Sequence, residues 1–206
     1  MSDLIFYTNP MSRGQIIRWA LHEVGAEYTE EKIEYGPQMK SAPYTDINPM
    51  GKVPAISHKG NIVTECAAIC TYLADVFPDA ELAAKEGELH HYYRWLFFTA
   101  GPVESAVMNK GLGFVPNEEQ QRTVGYGNYD LVVDVLDDLL TKQDFACGSR
   151  FTMADVYLGS QIDWGMMFNT IPSRESFEAY AARFRERAAY KAAKAIDAKL
   201  IAEASS

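Results

Sequence analysis

Apolar positions recur with two different periods along this chain. Leu4-Ile5-Phe6-Tyr7 is a short apolar run that ends in Thr8-Asn9-Pro10, which predicts a strand running into a loop. Ile16, Ile17, Trp19, Ala20, Leu21 and Val24 then follow helical spacing, and Gly25 stands where a left-handed residue ends a helix. Tyr28 to Ile33 predicts a second strand, residues 37–44 are weakly helical or irregular, and Asn48-Pro49-Met50-Gly51 marks a turn. Val53-Pro54-Ala55-Ile56-Ser57-His58 is a third strand, joined through Lys59-Gly60-Asn61 to Ile62-Val63 as a hairpin. Cys66, Ala67, Ile69, Cys70, Tyr72, Leu73, Val76 and Phe77 return to helical period until Pro78-Asp79 stops them. The predicted order is β-α-β-α-β-β-α.

Beyond Pro78 no strand pattern appears. Amphipathic segments over about 86–109, 118–141, 153–167, 177–186 and 188–204 predict an all-helical half. The change of period near residues 78–85 divides the chain into an α/β domain over 1–79 and a helical domain over 86–206. There is no internal repeat or low-complexity tract.

Composition narrows the function classes. The chain has 206 residues, 48% of them hydrophobic, and a formal net charge of -9. That charge argues against affinity built on phosphate neutralisation, so no nucleic-acid partner is expected. The most basic stretch, Arg183, Arg185, Arg187, Lys191, Lys194 and Lys199, is interrupted by Glu186 and Asp197 and reads as a solvated helix face. Cys66, Cys70 and Cys147 lack the paired spacing of a zinc site, so no metal is expected. The absence of a signal-like N-terminus or an apolar run of about 18 residues predicts a cytoplasmic protein with reduced thiols and no membrane association.

Val53-Pro54 opens a strand, where a proline is tolerated only at an edge or end. A cis bond there would explain it, and a strand, a loop and a helix start lie upstream in the order found in thioredoxin-like folds. With Asn48-Pro49-Met50-Gly51-Lys52-Val53-Pro54-Ala55-Ile56, then Thr64-Glu65-Cys66-Ala67-Ala68-Ile69, and Gly148-Ser149-Arg150-Phe151-Thr152-Met153-Ala154-Asp155 in the second half, the chain resembles the cytosolic glutathione S-transferase family of bacterial type over essentially its whole length. The third motif also reads directly as a capping box between Thr152 and Asp155, a structural helix start with no catalytic role.

The resemblance implies a thioredoxin-like N-terminal domain that binds glutathione, an all-helical C-terminal domain that binds a hydrophobic electrophile, and a homodimer. Val53, beside a cis Pro54 and after Lys52, would hold the cysteinyl part of glutathione through its backbone. Glu65 would pair with the γ-glutamyl ammonium, and free N–H groups at the helix start would receive the α-carboxylate. Cys66 departs from the family's usual Ser or Thr, and a thiol is the poorer donor, so weakened binding is expected. The Pro10-Met11-Ser12-Arg13 segment carries no Cys-x-x-Cys, which argues against a disulfide reductase with its own redox pair.

A thiol with the ordinary pKa of about 8.5 is only about 3% ionised at pH 7. Lowering that value by about two, equivalent to about 2.7 kcal/mol, makes about three-quarters of it thiolate. One hydrogen bond to the sulfur, at about 1.5 to 3 kcal/mol, together with a helix N-terminus supplies this without a general base. The family draws that bond from a Tyr ending the first strand or from a Ser or Cys starting the first helix. Here the candidates are Ser12, which is preferred, and Tyr7, with the loop backbone or Arg13 as the remaining donors. Ser12 as a helix cap and Tyr7 as a packed aromatic are the competing structural roles. Met11, Met108, Phe114, Trp164, Met167 and Phe168 are the expected electrophile walls. A reductase, peroxidase or isomerase using the same site is an alternative, as is a binding module without activity.

Overall fold

The computed structural model describes residues 2–204. The N-terminal sheet is built on β1 (Leu4–Thr8), which pairs parallel with β2 (Thr29–Lys32) and antiparallel with β3 (Ala55–His58); β3 pairs in turn with β4 (Asn61–Thr64). The strand order is β2-β1-β3-β4. Leu4, Phe6, Ala55 and Ile56 fill the buried positions of the central pair, whereas the edge strand β2 carries Glu30, Glu31 and Lys32, charges that discourage further strand pairing. Helix α1 (Gly14–Glu23) is buried from Gly14 to Leu21, and α3 (Cys66–Val76) buries Ile69, Cys70 and Leu73. The segment between β2 and β3 contains a 3-10 turn at Gln38–Lys40 and one α-helical turn, α2 (Tyr44–Ile47). Gly25 takes φ +64° just past α1, as its place in the sequence predicts.

The helical region contains α4 (Leu89–Phe98), α5 (Glu104–Gly111), α6 (Tyr129–Lys142), α7 (Met153–Met167), α8 (Glu175–Arg185) and α9 (Ala188–Ala204). Two of the expected helices are shorter or divided. The segment over 86–109 is interrupted by a π turn at Thr99–Val103, which accommodates Pro102, a residue with no N–H to give the helix ladder. The segment over 118–141 holds a 3-10 turn at Gln120–Arg122 and is α-helical only from Tyr129, because Gly127 at φ +68° interrupts the helical path and Asn128 Oδ1 caps the helix by accepting from Leu131 N at 2.8 Å.

The described residues form two compact units, 2–83 with 186–204 and 84–185. The expected division placed everything after residue 86 together, but α9 packs along α1 in the first unit. Trp19 meets Tyr190 edge to face with centroids 5.0 Å apart. Arg187 forks onto Glu23 at 2.7 and 2.6 Å. Arg18 is fully buried, and it donates to Asp197 on α9 at 2.8 Å and to Glu30 on β2 at 2.7 Å. The basic stretch is therefore not simply a solvated face. Arg183 pairs with Asp144 and Arg185 with the buried Asp163, so its arginines are largely engaged by carboxylates of the same molecule.

Candidate active site

The loop that leads from β1 into α1 is held at every carbonyl from Thr8 to Arg13. Thr8 O accepts from Ile33 N at 2.8 Å, Pro10 O from Gln15 Nε2 at 2.7 Å, and Met11 O from Tyr35 Oη at 3.1 Å. Ser12 O accepts from Gln15 N at 3.2 Å, and Arg13 O accepts from Ile16 N at 3.1 Å and from Cys66 Sγ at 4.0 Å. Asn9 O takes two donors, Ser12 N at 3.1 Å and Ser12 Oγ at 2.6 Å. Ser12 Oγ in turn accepts from Gly14 N at 2.9 Å. Gly14 is required for this approach, since a Cβ there would lie 2.0 Å from Thr8 Oγ1.

The Ser12 hydroxyl thus sits at the start of α1, about 9% exposed, and it bonds backbone on both sides. Its proton rests on a carbonyl that keeps a second donor if the hydroxyl turns away. Arg13 is exposed beside it and occupies the cap position of α1 in αR geometry, without a side-chain cap hydrogen bond.

The second part of the site comes from the loop before β3 and the start of α3. The Val53–Pro54 peptide is cis. Lys52 is exposed, its carbonyl accepting from Tyr44 Oη and from Asn48 Nδ2 at 2.8 Å. Among the described residues no hydrogen bond engages the Val53 backbone. Glu65, exposed at the start of α3, has φ +67°, a strained value for a side chain with a Cβ and one that clusters at ligand sites. Cys66 is buried, and its contact with the Arg13 carbonyl brings the starts of α1 and α3 together. Ser12, Arg13, Glu65 and Cys66 therefore form one group.

Tyr7 lies apart from that contact. Its ring packs against the cluster of Ile33, Met39 and Tyr44, its centroid 6.0 Å from that of Tyr44, and Val53 packs on the same cluster. Burial, and after it the charge of Glu31 opposite on β2, pushes the Tyr7 phenol above its ordinary pKa. Of the expected electrophile walls, Met11 is 64% exposed next to Ser12. In the second unit the Trp164 and Phe168 rings meet at a tilt of 34° with centroids 5.0 Å apart at the end of α7, where Met167 is exposed. Phe114 lines a cavity with Lys110, Tyr126 and Tyr129, and Met108 is exposed on α5.

The capping box at the start of α7 closes. Asp155, fully buried, accepts from Thr152 N at 2.8 Å, Thr152 Oγ1 at 2.9 Å, Ala146 N at 2.6 Å and Tyr180 Oη at 2.9 Å. Burial pushes its pKa up to about 6 in spite of these four donors. The other two cysteines are buried and free, the Cys70 thiol raised by burial and Cys147 raised to about 11 by the same cause.

Several residues that organise the site carried no assigned role in the sequence: Asn9, Gln15, Asn48 and Tyr35. A signal for two of them exists. Asn9-Pro10-Met11 and Asn48-Pro49-Met50 are the same triplet, and each forms the same turn, with the Asn Oδ1 accepting from the Met N at 3.0 and 3.1 Å. Each Asn also ties its loop outward through Nδ2, Asn9 to Ile33 O and Asn48 to Lys52 O.

A mixed four-stranded sheet that presents two helix starts and a cis proline, followed by an all-helical region, is the architecture of the thioredoxin-like transferases. The glutathione S-transferase N-terminal domain model matches residues 2–75 and the glutathione S-transferase C-terminal domain model matches residues 81–189. The chain is 27% identical over 183 residues to glutathione S-transferase GstA of Escherichia coli O157:H7, covering 81% of this chain and 85% of that one. Among solved structures it is similar to a sphingomonad glutathione S-transferase complexed with glutathione, at 26% identity and TM-score 0.73, covering 94% of this chain and 98% of that one. It is equally similar in fold to a bacterial beta class glutathione S-transferase of Sphingomonas chungbukensis, at 25% identity and TM-score 0.73, with the same coverage of both chains. The chain belongs to the glutathione S-transferase family, and its class of activity is glutathione transferase.

Proposed function

We propose that the first unit binds glutathione and that Ser12 stabilises its thiolate for attack on a small hydrophobic electrophile. The observation that carries this reading is the bonding of the Ser12 hydroxyl. Oγ accepts from Gly14 N while its proton lies on Asn9 O, and that carbonyl also receives Ser12 N. Turning the proton toward a sulfur therefore leaves no backbone group without a partner, and the Gly14 N–H continues to polarise the hydroxyl as a donor. Tyr7 is the weaker candidate, since its ring is packed on Tyr44 and its neighbours disfavour charge near the phenol. The unengaged Val53 backbone and the strained Glu65 support the placement of the cysteinyl and γ-glutamyl parts, and Cys66 stands where the α-carboxylate would meet the α3 start. Exposed Met11 gives an apolar neighbour to the reacting sulfur.

Use of bound glutathione as a reductant or isomerisation cofactor shares this first step. Homodimer formation is supported by Leu89, Tyr93 and Phe97, three exposed apolar side chains in one stripe of α4.

An ultraviolet titration of thiolate absorbance with glutathione bound, from pH 5.5 to 9, tests the reading. The wild type is expected to hold the thiol pKa about two below its free value, Ser12→Ala to return it most of the way, and Tyr7→Phe to leave it unchanged. An unshifted thiol in the wild type sinks the proposal and leaves a glutathione-binding module. Reversal in Tyr7→Phe alone moves the role to Tyr7.

A further inference from the structure

Four rungs cross the seam between α1 and α9: Glu23 with Arg187, Trp19 with Tyr190, Arg18 with Asp197, and Gln15 with Lys194. Arg187 lies just ahead of α9 and Tyr190, Lys194 and Asp197 follow one stripe of it, and on α1 the rung at Gln15 lies nearest the helix start. That rung does not end at Gln15. Lys194 Nζ donates to Gln15 Oε1 at 3.0 Å, and Gln15 Nε2 donates to Pro10 O at 2.7 Å. A chain of two hydrogen bonds therefore runs from the C-terminal helix to the loop that carries Met11 and Ser12.

We infer that Gln15 is a positioning residue for Ser12 and that Lys194 keeps it in that role, an inference that rests on the thiolate function proposed for Ser12. Three physical points carry it. A carboxamide has one accepting and one donating end, an ammonium has only donors and a carbonyl only accepts. Lys194 at one end and Pro10 O at the other thus fix a single orientation of the Gln15 amide, which a partner able to both donate and accept would not do. Gln15 is buried, so no exposed solvent competes for the Pro10 carbonyl. Pro10 offers no N–H, so its carbonyl is the one backbone polar group of that residue, and its bond from Gln15 acts together with the bond from Met11 N to Asn9 Oδ1 to fix the peptide between them. Ser12 Oγ is bonded to Asn9 O on the other side of Pro10, and a shift of the Pro10 peptide moves the carbonyl on which the Ser12 proton rests.

Lys194 also lies over the Tyr190 ring at 5.6 Å and acts on Asp197, which faces Arg18 and, through it, Glu30. These neighbours hold Lys194 on the seam. The C-terminal helix, more than 170 residues away along the chain, becomes part of the support of the sulfur site.

The test uses the thiolate titration on the full chain with Gln15→Met, Lys194→Met and Lys194→Arg, each also followed by thermal melting and by glutathione affinity at pH 5.5. Gln15→Met is expected to raise the pKa of the bound thiol by about one, Lys194→Met by about half as much, and Lys194→Arg to restore the wild-type value. Affinity at pH 5.5, where the thiol is bound protonated, is expected to change less than about twofold. A wild type with a depressed thiol pKa that all three variants retain overturns the inference, as does a set of variants that lower only the melting temperature. If the wild type shows no depressed pKa, it is the Ser12 reading beneath it that fails.

Discussion

The starts of α1 and α3 in the first unit differ from those of α6 and α7 in the second. In the first, neither Arg13 nor Glu65, the residues that cap α1 and α3, makes a side-chain cap hydrogen bond. In the second, Asn128 caps α6 and the Thr152 and Asp155 pair closes α7. Ser12 and Thr152 are both hydroxyls placed just ahead of a helix, yet their surroundings make them different groups. Thr152 is fully buried and its hydroxyl donates to a carboxylate that has three other donors. Ser12 donates to a carbonyl already served by another N–H, so its proton is available at little cost. The Thr152 hydroxyl is bound into a fully buried carboxylate that gathers four donors, whereas the Ser12 hydroxyl keeps its bond from Gly14 N and rests its proton on a carbonyl with a second donor, so that proton can turn to a ligand.

That contrast is broken most forcefully at Asp155. Asp155→Ala takes the acceptor from two backbone N–H groups in the interior and leaves the Thr152 and Tyr180 hydroxyls only the long bonds to Cys147 Sγ at 3.7 Å and to the residue 155 carbonyl at 3.4 Å, and the expected loss is about 3 kcal/mol or more of stability by urea denaturation. Ser12→Ala removes one acceptor from Gly14 N and leaves Asn9 O with Ser12 N, so its loss is expected to be about 1 kcal/mol or less. Equal losses at the two positions would show that the start of α1 is as structural as that of α7.

The same asymmetry explains what could be read from the sequence. The capping box was legible because both partners lie within one helical turn, and the succession of strands and helices along the first domain followed from short apolar runs closed by turns. Ser12, Arg13, Glu65 and Cys66 were singled out only through family motifs, because the contact that gathers them joins the starts of two separate helices. Arg18 and Gln15 were not legible at all. They sit on the buried face of α1 opposite Asp197 and Lys194, and nothing local announces a partner on a helix nearly the whole chain away. The division of the helix over 86–109 was hidden for a different reason, since Pro102 is absorbed by a π turn and does not end the helix.

A smaller effect sharpens the comparison at α3. Cys66 begins that helix with a thiol whose contact with Arg13 O is long, at 4.0 Å. If this start is built for a ligand, replacing the thiol by a hydroxyl strengthens a bond to the ligand carboxylate, and Cys66→Ser is expected to tighten glutathione binding about threefold to tenfold by calorimetry. Unchanged affinity would mean that the backbone N–H groups alone meet that carboxylate. No change in stability beyond about 0.5 kcal/mol is expected, because the contact that is lost is weak.

The smallest effect belongs to the outer layer of the α7 start. Arg150, two residues before Thr152, pairs with Glu88 just ahead of α4, its Nε 3.0 Å from Oε1 and its Nη2 on Oε2. The Arg150 guanidinium, helped by the N–H of Lys85, holds the Glu88 carboxyl down to about 2. A carboxyl depressed in the folded state adds stability above its unfolded pKa of about 4.3, and the contribution is lost as the pH falls toward the folded value. Both side chains are partly exposed, at 25% and 21%, so solvent screening limits the pair to about 0.5 to 1 kcal/mol at pH 7. Glu88→Gln is therefore expected to be less stable than the wild type by that amount at pH 7, with more than about half of the difference gone at pH 3. A difference that stays constant from pH 7 to pH 3 would assign the effect to packing, and the electrostatic layer around the sealed helix start would then be absent.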